Sequence, residues 1–285
     1  MTRNPDGALV VGVSLEGRSD AAVRWAAAEA QEQGLALHLV HGLCAPLGTY
    51  PGRSAAGVDA GPGLFGRARA ELHATAEATR AMAPGLAVDE TVVESDPVAV
   101  LRAQARGASM IVVGSHGSGA LGEVALRGVA HGLVGHVDVP VAVVPPATTG
   151  ARAPRDVVVV GDDGTEGCRG ALRFATRRAA VRGVPLVVVR AGPDARLLSE
   201  ELPDVGTDRP PALQVVLAEE RADRVIAEQA DDAELVVLGG EHGWRHPRHS
   251  TRRGLAVRAR CPVVIVSPDW TPDLVTPGVL DGARR

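Results

Sequence analysis

The chain has 285 residues, room for about two domains at roughly 100–200 residues each. Hydrophobic residues make up 45% and aromatics only 2%, so the core must be built from Val, Leu, Ile and Ala, which suits parallel strands buried on both faces. A net charge of −4 gives no general attraction to nucleic acid or anionic lipid, and all 30 basic residues are Arg, which excludes every lysine-based mechanism.

Cys44, Cys168 and Cys261 stand alone, without the paired spacing of a disulfide framework or a zinc site. The start, Met1-Thr2-Arg3-Asn4-Pro5-Asp6, lacks a signal-peptide layout. No apolar run reaches the roughly 18 residues of a membrane span. A cytoplasmic protein without membrane or nucleic-acid partners is expected.

Taken in chain order, apolar runs predict strands near 8–13, 35–41, 87–93, 109–114 and 139–144. Between them, amphipathic stretches predict helices near 19–33, 64–83, 97–107 and 121–136. Asp96-Pro97 is an N-cap followed by a first-turn proline for the third helix. Strand–helix alternation of this kind forms right-handed βαβ units on a parallel sheet.

The pattern then repeats. Residues 8–41 align without a gap on 157–190, at an offset of 149. Gly12-Val13-Ser14 lies over Gly161-Asp162-Asp163, and Ala22-Val23-Arg24-Trp25-Ala26 over Ala171-Leu172-Arg173-Phe174-Ala175. Met110–Gly114 resembles Glu234–Gly239, and Val139–Val144 resembles Cys261–Val266. The second copy is shorter between its second and fourth strands, so its second helix is expected as a stub near 195–202. The expected organisation is an α/β fold of two tandem domains, each an open five-stranded parallel sheet flanked by helices. Domain one covers 1–146, a linker 147–155, a shortened domain two 156–268 and a tail 269–285. The apolar last strand of each copy needs cover, which predicts that the copies pack as a pseudo-symmetric dimer within the chain.

The element order, the repeat and the glycine loops together resemble the universal stress protein family in its tandem form, from about Ala8 to Val266. That resemblance implies a Rossmann-like, adenine-nucleotide-binding fold, with ATP held at the carboxyl ends of the strands. It also implies a first strand ending in Asp-Gly-Ser, and after the fourth strand Gly-x-x-Gly followed nine residues later by Gly-Ser. Glycines let the backbone approach phosphates, and the next helix's N-terminal amides carry the positive end of its dipole.

Both copies depart from this pattern. Copy one has Ser14-Leu15-Glu16 in place of Asp-Gly-Ser but keeps Gly114-Ser115-His116-Gly117, with Arg127-Gly128 at the second glycine pair. Copy two keeps Asp163-Gly164-Thr165, but after Gly240-Glu241-His242-Gly243 only Trp244–Arg248 separates the loop from His249-Ser250. The candidate nucleotide-binding residues are therefore Gly114, Ser115, Gly117, Arg127, Gly128 and Asp163. Arg127 either caps the phosphates or fills the crevice. Asp163 either reads the base or serves as a turn residue ahead of the helix.

Two look-alikes carry less. Gly12–Ser19 mimics a P-loop but has Arg18 where that motif needs lysine, and the gapless repeat explains the segment better. His242, His246 and His249 lie close in sequence, but Pro247 keeps the last two off one helix face, so a solvated basic loop is expected and no metal. No nucleophile, base and orienting acid come together, so no enzyme is expected beyond weak ATP hydrolysis. The expected function is regulation in the stress response, with ATP or another adenine nucleotide bound in copy one. The alternative is an interaction scaffold with degenerate sites, acting through protein contacts alone; under either reading a homodimer of whole chains is left open.

Overall fold

The computed structural model describes residues 7–15, 19–43, 62–115, 129–146, 155–191, 203–206, 209–218, 222–230, 233–240 and 259–271. In the first half the elements are β1 (Leu9–Gly12), α1 (Asp20–Gln33), β2 (Leu37–Gly42), α2 (Pro62–Met82), β3 (Val88–Val93), α3 (Pro97–Ala105), β4 (Met110–Gly114) and β5 (Val141–Val144). The second half contributes β6 (Arg155–Asp162), a 3₁₀ turn (Glu166–Cys168), α4 (Arg169–Arg182), β7 (Leu186–Ala191), β8 (Leu213–Ala218), α5 (Ala222–Ala230), β9 (Ala233–Gly239) and β10 (Val263–Val266).

The two expected five-stranded sheets are one continuous ten-stranded sheet, ordered β3-β2-β1-β4-β5-β10-β9-β6-β7-β8. Every neighbouring pair within a half is parallel. The halves join by antiparallel pairing of β5 and β10, in which Val264 stands opposite Ala142. Each apolar last strand thus covers the other's edge, as edge strands require. Because the join is antiparallel, the carboxyl ends of the strands point one way in the first half and the opposite way in the second.

The sheet is buried on both faces by two apolar layers that each run across the join. One contains Leu9, Val11, Ala142, Val158, Val160 and Val264 beneath α1 and α4. The other contains Val10, Ile111, Val143, Val159, Val263 and Ile265 beneath α3 and α5. Alternate residues of a strand feed opposite layers, and each fully buried Val or Leu contributes about 1.5–3 kcal/mol. The helices lie close to the sheet through alanines one turn apart, Ala22, Ala26 and Ala30 on α1 and their equivalents Ala171, Ala175 and Ala179 on α4. Both helices end on a left-handed glycine, Gly34 at φ 66° and Gly183 at φ 67°. The predicted cap of α3 is present, with Asp96 accepting from the Ala99 amide at 2.9 Å.

The halves differ on the α1/α4 face. In the first, α2 packs over β3 and buries Ala68, Leu72 and Ala76. Among the described residues no helix takes that place over β8, and Leu213, Val215 and Leu217 stay 38–47% exposed. The stub expected near 195–202 lies outside the described residues, as do 121–128 of the predicted fourth helix; 129–133 are helical. Among the described residues no helix is long and apolar enough to cross a membrane.

Candidate functional site

In each half the strand order reverses beside the first strand: β1 lies between β2 and β4, and β6 between β7 and β9. Helices leaving neighbouring strands there diverge to opposite faces, so the crevice beyond those strand ends is where open α/β sheets bind ligands. The turn after the first strand is closed alike in both halves. Ser19 Oγ accepts from the Ser14 amide at 2.7 Å, and at the equivalent positions Cys168 Sγ donates to Asp163 Oδ1 at 3.2 Å.

In the first half this turn leaves space. A cavity of about 230 Å³ is lined by Val13, Ser14, Leu15, Ser19, Asp20, Val23, Glu71, Ala74 and Thr75, between the end of β1 and α2. Its polar lining consists of hydroxyls and two carboxylates. The hydroxyls can donate or accept hydrogen bonds, whereas the two carboxylates accept them and disfavour a neighbouring anion. Beside it, His41 Nδ1 donates to the Val13 carbonyl at 2.8 Å; a carbonyl only accepts, so this nitrogen carries the proton.

Gly114 and Ser115 end β4 in the same crevice, both buried. The Ser115 amide donates to the Val144 carbonyl at 2.8 Å, so it belongs to the sheet and does not face a ligand. Gly117, Arg127 and Gly128 lie outside the described residues, as do His116 and the His242, His246, His249 group.

In the second half the α2 wall of this cavity has no counterpart among the described residues, and charged side chains meet at the equivalent turn. Asp162, where the first half has Val13, is buried, and its Oδ2 meets Arg190 Nη2 at 3.0 Å. Its Oδ1 accepts the Gly164 amide at 2.9 Å. Asp163, singled out from the sequence, is exposed; its Oδ1 accepts from the Thr165 amide and hydroxyl at 3.0 and 2.5 Å and from Cys168. Its side chain shapes the turn.

Strand register also revises the loop alignment. Leu9 pairs with Met110 and Val158 with Leu235, so Gly239, not Gly240, is equivalent to Gly114. A Cβ on Gly239 would lie 2.5 Å from the Gly167 carbonyl, so the 3₁₀ turn sits directly on the strand end. Farther out, Ser267–Trp270 packs onto the start of α4: a Cβ on Gly170 would lie 1.9 Å from the Ser267 carbonyl, and Trp270 stacks edge-on against Phe174 at 5.2 Å. Asp162, Asp163 and Cys168 form the one group among the described residues whose ligand atoms lie close enough for a metal, within 4.8 Å. Arg190 already supplies the positive charge at Asp162.

Sequence reasoning missed Asp162, Arg190 and His41. The signal was available in the repeat, where His41 lies under Arg190 and Val13 under Asp162, both pairs flanking the first strand's end.

The fold and the crevices define an open α/β protein of the nucleotide-binding type. The family model for the universal stress protein family matches residues 7–145. A universal stress protein of Mycolicibacterium smegmatis is 30% identical over 289 residues, covering 91% of this chain and 97% of that protein. One from Mycobacterium tuberculosis is 30% identical over 308 residues, covering 90% and 94%. In fold, the chain resembles the crystal structure of a universal stress protein from Archaeoglobus fulgidus, with a TM-score of 0.71 at 17% identity, over 92% of this chain and 96% of that one. The chain belongs to the universal stress protein family, in its tandem form.

Proposed function

We propose that this chain is a regulatory protein of the stress response that binds ATP, or another adenine nucleotide, in its first half only. The observation that carries this reading is the difference between the two crevices. The first has a cavity beside the end of β1, walled by α2, whereas among the described residues the second has no such wall and its turn is tied by the Arg190–Asp162 pair. At about 230 Å³ the cavity is below the roughly 300–1,000 Å³ of pockets that take whole ligands, which suits a nucleoside moiety with its phosphates outside.

In this reading Ser14, Asp20, Glu71 and Thr75 hold the sugar and base. Gly114 and Ser115 set the direction of the chain entering the phosphate loop. Gly117 and Gly128 let its backbone approach the phosphates, and Arg127 caps them. Asp163 belongs to the turn of the second half. The binder acts by changing the chain's stability or contacts on loading, and no catalytic step is assigned to it. The domain division at 1–146, 147–155, 156–268 and 269–285 follows the same reading, in a cytoplasmic protein.

Native mass spectrometry of the purified chain tests whether it carries a nucleotide. Titration of ATP into wild type, Arg127→Ala and Arg127→Gly then tests the cap. Loss of about 1.5–3 kcal/mol in the alanine variant supports capping, and tighter binding by the glycine variant overturns it. The absence of binding by any of the three favours a scaffold that acts through protein contacts alone.

A further inference from the structure

At the join between the halves, Glu29 of α1 meets Arg178 of α4, Oε2 to Nη2 at 2.6 Å, with side chains 3% and 7% exposed. These two residues are 149 positions apart, the offset of the repeat, so the same position of the two copies meets itself across the join. It carries opposite charge in the two copies. The residues around it follow suit. Glu32 accepts from Arg178 Nη1 at 3.2 Å and from Arg182 at 2.9 Å, while their repeat equivalents are Val181 for Glu32 and Gln33 for Arg182. Glu234 of β9 joins from below, 3.3 Å from each arginine. At this join α1 is acidic and α4 is basic.

We infer that the Glu29–Arg178 contact is a pairing code, which makes the α1 face complementary to an α4 face and repellent to another α1 face, so that unlike halves join and like halves do not. Among the described residues, the paired strands of the join offer no such discrimination. β5 reads Val-Ala-Val-Val and β10 Val-Val-Ile-Val, and either apolar strand could pair antiparallel with its own kind. A join of two first halves would bury Glu29 against Glu29, and a join of two second halves Arg178 against Arg178, with one Glu234 per half to set against two arginines. Buried like charges are poorly screened, and one unpaired charge there outweighs much apolar gain.

The same environment argues against a role as a plain stabiliser. Burial pushes the Glu29 carboxyl above its ordinary value, with Arg178 as the main opposing influence. Arg178 Nε and Glu234 Oε2 are buried without a hydrogen-bond partner. A pair that costs desolvation and still excludes the wrong partner supplies specificity.

The test uses full-length chains and thermal unfolding midpoints of wild type, Glu29→Gln, Glu29→Arg, Arg178→Glu and the double reversal Glu29→Arg/Arg178→Glu. The neutral variant should stay near wild type, because Glu32 and Glu234 still pair with Arg178. Each single reversal should fall about 6–10 °C below the neutral variant. The double reversal restores an opposite-charge contact between 29 and 178 but sets the new carboxylate beside Glu32 and Glu234, so it should recover part of the loss and unfold above both single reversals. If the single reversals do not fold, recovery of a folded double variant supports the pairing code equally. The inference is overturned if Glu29→Arg falls no further than Glu29→Gln, or if the double reversal is as damaged as the two singles combined.

Discussion

Arg190 reaches from the end of β7 to Asp162 at the end of β6, and at the equivalent positions of the first half His41 reaches from β2 to the carbonyl of Val13. The same link between second and first strand is built in one half from a buried ion pair and in the other from an imidazole N–H and a backbone oxygen. This exchange separates the two crevices chemically. The first half sets a valine and a histidine beside the turn, and the second an aspartate met by a guanidinium.

Removing one member of that pair should therefore be costly. Arg190→Leu leaves Asp162 buried without its cation and should destabilise the chain by about 3–5 kcal/mol. Asp162→Val/Arg190→His, which copies the first half, should recover most of the loss. Urea denaturation checks both, and a double variant no better than Arg190→Leu would contradict the equivalence of the two links.

Gly170 and Gly66 are both helical glycines, and Gly→Ala should have opposite signs at them. At Gly170 the new methyl would meet the Ser267 carbonyl, so Gly170→Ala should destabilise by about 1–3 kcal/mol and release Trp270 from Phe174. At Gly66 nothing lies within 4 Å, and Gly66→Ala should stabilise α2 by about 0.5–1 kcal/mol. Denaturation followed by tryptophan fluorescence distinguishes the two.

His38 gives the fold a pH dependence of definite sign. It is buried within β2, its Nε2 2.9 Å from Thr91 Oγ1, and burial pulls its imidazole below the ordinary 6.5, with Asp89 opposing. A depressed folded value means that stability is full above the unfolded value and is lost as pH falls through the folded one. Glu29, shifted upward, acts in the opposite sense: its contribution is present below 4.5 and is lost as pH rises through its folded value. Comparing wild type with His38→Gln isolates the histidine. Between about pH 7.5 and about pH 5.5, a span around the ordinary histidine value, wild type should lose more stability than the variant. Equal urea-midpoint slopes would contradict this.

Much of the fold was legible because its signals are local and repeated. Val-rich runs next to glycine marked β1, β4, β6 and β9, runs next to proline marked β5 and β10, and the gapless alignment of 8–41 on 157–190 made two copies inescapable. Asp96-Pro97 announced a cap that the structure contains. β8 was not located, because Leu-Gln-Val-Val-Leu-Ala lies between proline-rich and acidic stretches and one of its faces remains exposed. The site was less legible, since its distinctions are spatial. Asp162 and Asp163 are adjacent in sequence, but strand alternation buries the first and leaves the second in the turn. Gly239 and Gly240 likewise differ by one position; the strand alignment set Gly239 under Gly114 whereas the loop alignment began at Gly240, and pairing register decides for Gly239. Glu29 lay over Arg178 in the repeat alignment, but that these polar positions meet follows only from the antiparallel join.

The most direct test of a one-sided nucleotide site is photolabelling of the full-length chain with an azido-adenine triphosphate, followed by peptide mapping. A site confined to the first half predicts ATP-competable label on its peptides, around the β1–α1 turn and α2. Label on peptides around Asp162 and Arg190, or none that ATP competes away, would contradict it.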